Sequence, residues 1–171
     1  MVQELLYRPK NEQIMKKMRF FAIFALAASF VLMACDMYDD GIPPKSARNE
    51  FKAMYPDAKD IEWEKEGAYW SVSFETGSAM NRTDHEALFD NSGKWIMTET
   101  DILLRDVPQA VKDAIAASPE YGSMSYRDDD AEKYETPSGI FYRIELSDAG
   151  AEVKVDVTPD GTVTPARYDR F

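Results

Sequence analysis

From residue 46 onward, apolar side chains recur with two different periods, and the two alternate along the chain. Between Ala47 and Tyr55, Phe51, Met54 and Tyr55 fall on one face of a helix. Ser46 stands where an N-cap would, Glu50 lies in the first turn where the helix dipole favours an acid, and Pro56-Asp57 ends the run. The period then drops to two. Ile61 and Trp63 alternate with Glu62 and Glu64, and Trp70, Val72 and Phe74 alternate with Tyr69, Ser71 and Ser73. A segment from Thr83 to Phe89, an Asp90-Asn91-Ser92-Gly93 turn and a strand over 94–100 complete the unit. Each segment has the pattern of an antiparallel strand with one buried and one wet face.

The pattern then restarts. Pro108 opens a second helix, where a missing N–H costs little, and Val111, Ala114 and Ile115 form its apolar stripe. Met124 and Tyr126 take the places of Ile61 and Trp63, and Tyr142, Ile144 and Leu146 those of Trp70, Val72 and Phe74. Val153, Val155 and Val157 lead into Thr158-Pro159-Asp160-Gly161, so Phe89 to Gly93 and Val157 to Gly161 share one spacing. The stretch Asp128–Gly139 reads as the most irregular loop. The expected fold is α+β: two tandem α-β-β-β-β repeats, 46–104 and 105–171, forming an antiparallel sheet of about eight strands with both helices on one face.

The first 45 residues carry no such pattern. Lys16, Lys17 and Arg19 precede an apolar run from Phe20 to Ala34 interrupted only by Ser29. That is short of the about 20 residues a bilayer span needs, but it fits the core of a signal peptide. Residues 1–34 are therefore expected to be a signal peptide, with translation starting at Met15 or Met18. Leu32-Met33-Ala34-Cys35 resembles the lipobox of bacterial lipoproteins and makes Cys35, the only cysteine, the expected lipidation site. Residues 35–45 then read as a polar tether.

Charge and chemistry narrow the function. The chain of 171 residues has 20 basic and 31 acidic side chains. Without residues 1–34 the balance is 15 against 29, a net −14. A domain that acidic repels phosphate backbones, so nucleic-acid binding is not expected. The single histidine, His85, sits in a strand alternation and reads as a residue at the core edge; with the one cysteine assigned to lipid, triads, thiol nucleophiles and His-based metal sites lack their parts. Asp128-Asp129-Asp130 and Asp156–Gly161 read as solvated turns rather than cation loops. The expectation is a non-enzymatic protein with no cofactor and no metal.

The string Phe51…Tyr55-Pro56…Ala58…Ile61-Glu62-Trp63-Glu64, Tyr69…Val72…Phe74, Phe89-Asp90…Gly93…Trp95 and Val107-Pro108…Val111 resembles the PepSY-like, β-lactamase-inhibitor-like family of Bacteroidetes lipoproteins and periplasmic proteins. The resemblance covers about residues 46–171 and rests on core and turn positions. It implies a concave antiparallel sheet like that of the secreted β-lactamase inhibitor protein, and an inhibitor-like role.

Strand alternation assigns Tyr69 and Phe141 to equivalent places on the uncovered sheet face, with Leu88 and Ile96 pointing the same way. Glu62, Glu64, Glu86, Arg143, Glu145 and Lys154 surround them. Aromatics ringed by charge suit a protein interface. The expected partner is a protein or peptide of the cell envelope, with the membrane touched only through the lipid anchor, in the periplasm or at the cell surface and at the outer membrane. The alternative is an envelope scaffold whose sheet pairs with its own copies; a hydrolase working through carboxylates alone is the third reading.

Overall fold

The computed structural model describes residues 41–166. The expected signal peptide, the expected lipidation site Cys35 and most of the expected tether lie outside the described residues, as do residues 167–171.

Two helices, α1 (Lys45–Met54) and α2 (Gln109–Ala117), each precede a run of strands. The first run is β1 (Lys59–Glu66), β2 (Tyr69–Ser78), β3 (Asn81–Asp90) and β4 (Trp95–Leu103); a 3-10 turn, Leu104–Asp106, leads to α2. The second is β5 (Ser125–Tyr126), β6 (Asp130–Thr136), β7 (Gly139–Asp148), β8 (Ala151–Val157) and β9 (Val163–Pro165). All strands join one antiparallel sheet in the order β1-β2-β3-β4-β6-β7-β8-β9, with the short β5 beside β7. Sequence neighbours are thus spatial neighbours, and the last long strand of the first unit pairs directly with the first of the second.

Register shows which face is which. The cross-strand row Phe74–His85–Thr100–Lys133–Tyr142–Val157–Val163 runs unbroken from β2 to β9. At one end of it Phe74 packs with Phe51 of α1, and at the other Val157 packs with Val111 and Ile115 of α2. Both helices therefore cover the same side. Each has its own core: Ala47 and Phe51 lie on Trp70, Val72, Phe74, Ala87 and Phe89, while Val111 and Ile115 lie on Ile144, Leu146, Val155 and Val157. Phe74 and Phe51 meet edge to face with centroids 5.0 Å apart, a favoured aromatic geometry. Between the two cores the row is polar. His85, half-buried and stacked on Phe74 at 4.8 Å, shares hydrogen bonds with Thr76 (2.7 Å) and Thr100 (2.9 Å), so burial of its ring leaves neither nitrogen unsatisfied.

Several local expectations are corrected. Both helices start after a proline, Pro44 and Pro108, each extended with ψ 139°. Ser46 is therefore inside α1 and caps nothing; its hydroxyl donates to the Ser92 carbonyl at 2.7 Å. Glu50 falls beyond the first turn for the same reason. Ile61 is 46% exposed, because β1 is an edge strand with a register shift between Lys59 and Glu62 and a positive φ of 50° at Asp60. In the second unit Tyr126 pairs with Leu146, and Ala131, further along, joins the buried α2-side cluster with Ile144 much as Trp63 stands opposite Val72. The stretch expected as an irregular loop, Asp128–Gly139, contains β6, a central strand. Its buried residues Ala131 and Tyr134 are three apart and face opposite sides, so no period-2 apolar pattern betrays it.

Candidate functional site

The sheet face opposite the helices carries the row Glu62–Ser73–Glu86–Glu99–Tyr134–Phe141, spanning β1 to β7. Beside it runs Glu64–Ser71–Leu88–Met97. The two rows meet in a third apolar cluster: Leu88, Met97 and Tyr134 are buried, and Tyr69, Ile96 and Phe141 pack half-buried over them. The structure thus brings Tyr69, Leu88, Ile96 and Phe141 into one patch. Ile96 reaches it because Leu88 pairs with Met97 but Phe89 with Trp95, a bulge that leaves Ile96 as the extra residue. Glu62 stands exposed on the edge strand, away from this cluster.

Arg143 lies inside the face, 8% exposed. Its Nε and Nη2 donate to Asp156 Oδ1 and Oδ2 at 2.8 and 3.1 Å, a bidentate pair that fixes the guanidinium plane. Nη1 donates to the Tyr134 hydroxyl at 3.3 Å, and the guanidinium sits 4.8 Å from the Tyr134 ring centre. Phe141 stacks directly on the Tyr134 ring, with centroids 4.7 Å apart and planes 4° from parallel. The Tyr134 hydroxyl donates to Glu132 Oε2 at 3.0 Å. Burial, reinforced by Glu99 and Glu132, holds that phenol protonated far above its ordinary range.

Met97, Tyr134, Glu99, Asp101 and Glu132 belong to this face and were not among the residues singled out from sequence. Tyr134 and Glu132 sit on the strand that reads as a loop, and Met97 is placed by the bulge. Two carboxylate pairs are directly opposed across neighbouring strands: Glu86 with Glu99, and Asp101 with Glu132. Like charges so placed repel. Burial first, and then Glu132, pushes Glu99 up to about 7 and Asp101 up to about 6. Glu86 is raised by burial and by Glu66 and Glu64. The two halves of the face differ. On β6–β8 the charges are matched: Arg143 with Asp156, Lys154 with Glu132 at 3.6 Å, and Arg127 nearby with Glu145 at 2.7 Å and Glu152 at 3.1 Å. On β1–β4, Arg82 and Lys59 stand at the far end, taken up by Glu75 at 2.6 Å and the Gly77 carbonyl at 2.8 Å. Among the described residues, Glu86, Glu99 and Asp101 of that half have no basic side chain in ion-pair contact, though Glu99 shares a hydrogen bond with the Tyr134 hydroxyl.

Comparison with known proteins fits this architecture. A family model described as "Putative beta-lactamase-inhibitor-like, PepSY-like" matches residues 68–164, more than half of the chain. No match is found among curated proteins. Solved structures do match. A DUF2874 family protein from Bacteroides ovatus is 25% identical with a TM-score of 0.59, over 73% of this chain and 89% of that one. A protein of Bacteroides eggerthii described as "putative periplasmic" is 28% identical with a TM-score of 0.58, over 72% and 86%. A BLIP-like protein from Bacteroides fragilis, 22% identical, has a TM-score of 0.62 over 77% and 93% and shows the same fold. With two helices on one side of an open antiparallel sheet, and a family model matched across most of that sheet, the chain belongs to the PepSY-like, β-lactamase-inhibitor-like family.

Proposed function

We propose that the protein is a non-enzymatic binding module of the cell envelope that holds another protein or peptide against its open sheet face, in the manner of an inhibitor. The observation that carries this reading is the asymmetry of the sheet. One side is covered by α1 and α2, while the other bears an aromatic and aliphatic patch, Tyr69, Ile96 and Phe141 over Leu88 and Met97, set among charged residues. An apolar centre with a charged surround supplies both burial energy and orientation to a partner. The BLIP-like relative and the inhibitor-like family description support the choice of a protein ligand. The signal-like residues 1–34, the lipobox-like Cys35 and the periplasmic description of the B. eggerthii relative support a lipid-anchored periplasmic or surface location.

Site-specific photo-crosslinking in cells tests it. A photoreactive residue at Ser73, exposed on the open face, is expected to trap a foreign envelope protein; the same residue at Lys52, on the outer surface of α1, is expected to trap none. Adducts only from Lys52 would overturn the assignment of the face. Adducts only between copies of this chain would replace it with a self-associating scaffold.

A further inference from the structure

We infer that the partner segment seated on the open face is basic, with a lysine or arginine side chain placed over the opposed carboxylates of β3, β4 and β6 and its apolar neighbours on the Tyr69–Phe141 patch. This rests on the reading of the open face as the binding surface and adds the chemistry of what it takes.

Among the described residues neither helix covers this face, and its charge points to a complementary partner. Glu86 opposes Glu99 and Asp101 opposes Glu132 across adjacent strands, so two repulsive contacts lie side by side in the middle of one sheet. Glu64 and Glu66 of β1 add to the same field, since both raise the Glu86 carboxyl. The sheet has cations with which to relieve it, but it spends them elsewhere: Arg82 on Glu75 and Asp60, Arg127 on Glu145 and Glu152. Lys154 reaches only Glu132 among the four, at 3.6 Å. The apolar patch begins one row away, since Ser71–Leu88–Met97 is the row next to Ser73–Glu86–Glu99. A segment running along the strands would therefore meet an apolar surface and an anionic one about 7 Å apart, the spacing of alternate residues in an extended chain. A cation inserted over the carboxylates removes like-charge repulsion already present, so its binding is favoured beyond the attraction of an exposed pair. An acidic or neutral segment gains no such relief.

Selection from a random dodecapeptide display library against the full chain, followed by anisotropy titration of the selected peptides, tests the inference. The expected outcome is enrichment of peptides that combine Lys or Arg with aromatic or aliphatic residues. Their affinity should fall at least tenfold in a Glu86→Gln, Glu99→Gln, Asp101→Asn variant, and should change less than twofold when the same number of charges is removed on the helical side by Glu50→Gln, Asp57→Asn and Glu120→Gln. Equal losses in both variants would mean attraction to net charge alone and would overturn the inference. Neutral or acidic peptides that bind the open-face variant undiminished, yet are lost on Leu88→Asp, would overturn it while leaving the open face as the binding surface. Enrichment of no peptide at all would also overturn it, and the fate of the binding face would then rest on the crosslinks from Ser73.

Discussion

At the scale of single residues, two glycines show how one sequence spacing meets two environments. Gly93 and Gly161 close equivalent turns, with φ of 86° and 90°. A Cβ on Gly93 would stand 2.1 Å from Ser46 Oγ and 2.5 Å from the Ala47 nitrogen, because α1 rests directly on that turn; on Gly161 the nearest atom is Ala114 Cβ at 3.7 Å. Both Gly→Ala changes incur the left-handed penalty of about 1–2 kcal/mol. Gly93→Ala adds overpacking of about 1–3 kcal/mol, so denaturant titration should show it as the more destabilising of the two. Glu99 gives a second residue-scale prediction. Its carboxyl is pushed up to about 7 by burial and Glu132, so the folded chain holds a proton there that the unfolded chain has lost once pH passes its ordinary range. Stability from this site therefore falls as pH rises from about 4.5 to about 7, and the whole penalty is present above that. Asp101, pushed up to about 6, acts in the same direction. His85 opposes them below its ordinary range, because burial holds it neutral. Comparing Glu99→Gln with the parent isolates the carboxyl: it should stabilise by about 1–3 kcal/mol at pH 8 and little at pH 5. Equal effects at both pH values would mean the carboxylate is solvated and unstrained.

At the scale of elements, the alternation of Trp70, Val72 and Phe74, and of Tyr142, Ile144 and Leu146, was enough to place the strands and their dry face, because half-buried strands in an antiparallel sheet advertise their burial every second residue. The same logic located Tyr69, Leu88 and Phe141. It failed at β6, where Ala131 serves one core and Tyr134 another, with the charged Glu132 and Lys133 between them. Glu99, Asp101 and Glu132 were illegible for a related reason: in a chain this acidic, no carboxylate stands out until register sets it against another. The first helix starts two residues earlier than its pattern suggests because Pro44, not Ser46, marks it, whereas Pro108 marks the second as expected. If β6 is a central strand, Tyr134→Ala removes a buried ring stacked on Phe141 and should cost about 3–5 kcal/mol. A solvated loop residue would cost less than about 0.5 kcal/mol. The half-exposed Tyr69→Ser should fall between, since that ring covers the patch from outside.

For the whole molecule, two cores under two helices are tied together twice, by the β4–β6 ladder from Thr98–Glu135 to Leu103–Asp130 and by the open-face cluster, which draws Leu88 and Met97 from one unit and Tyr134 and Phe141 from the other. The units should therefore unfold together. All three tryptophans, Trp63, Trp70 and Trp95, lie in the first unit, so their fluorescence reports on that half while far-ultraviolet circular dichroism reports on both. Coincident midpoints are expected; fluorescence that shifts well before or after the circular dichroism would mean the units are separable. The tie between them also keeps the open face continuous, so the proposed binding surface draws on both units. Hydroxyl-radical footprinting of the full chain, alone and with the partner trapped through Ser73, tests this most directly. Tyr69, Ile96 and Phe141 should become protected on binding while Met54, 36% exposed on α1, keeps its reactivity. Protection of Met54 with the three open-face residues unchanged would contradict the account.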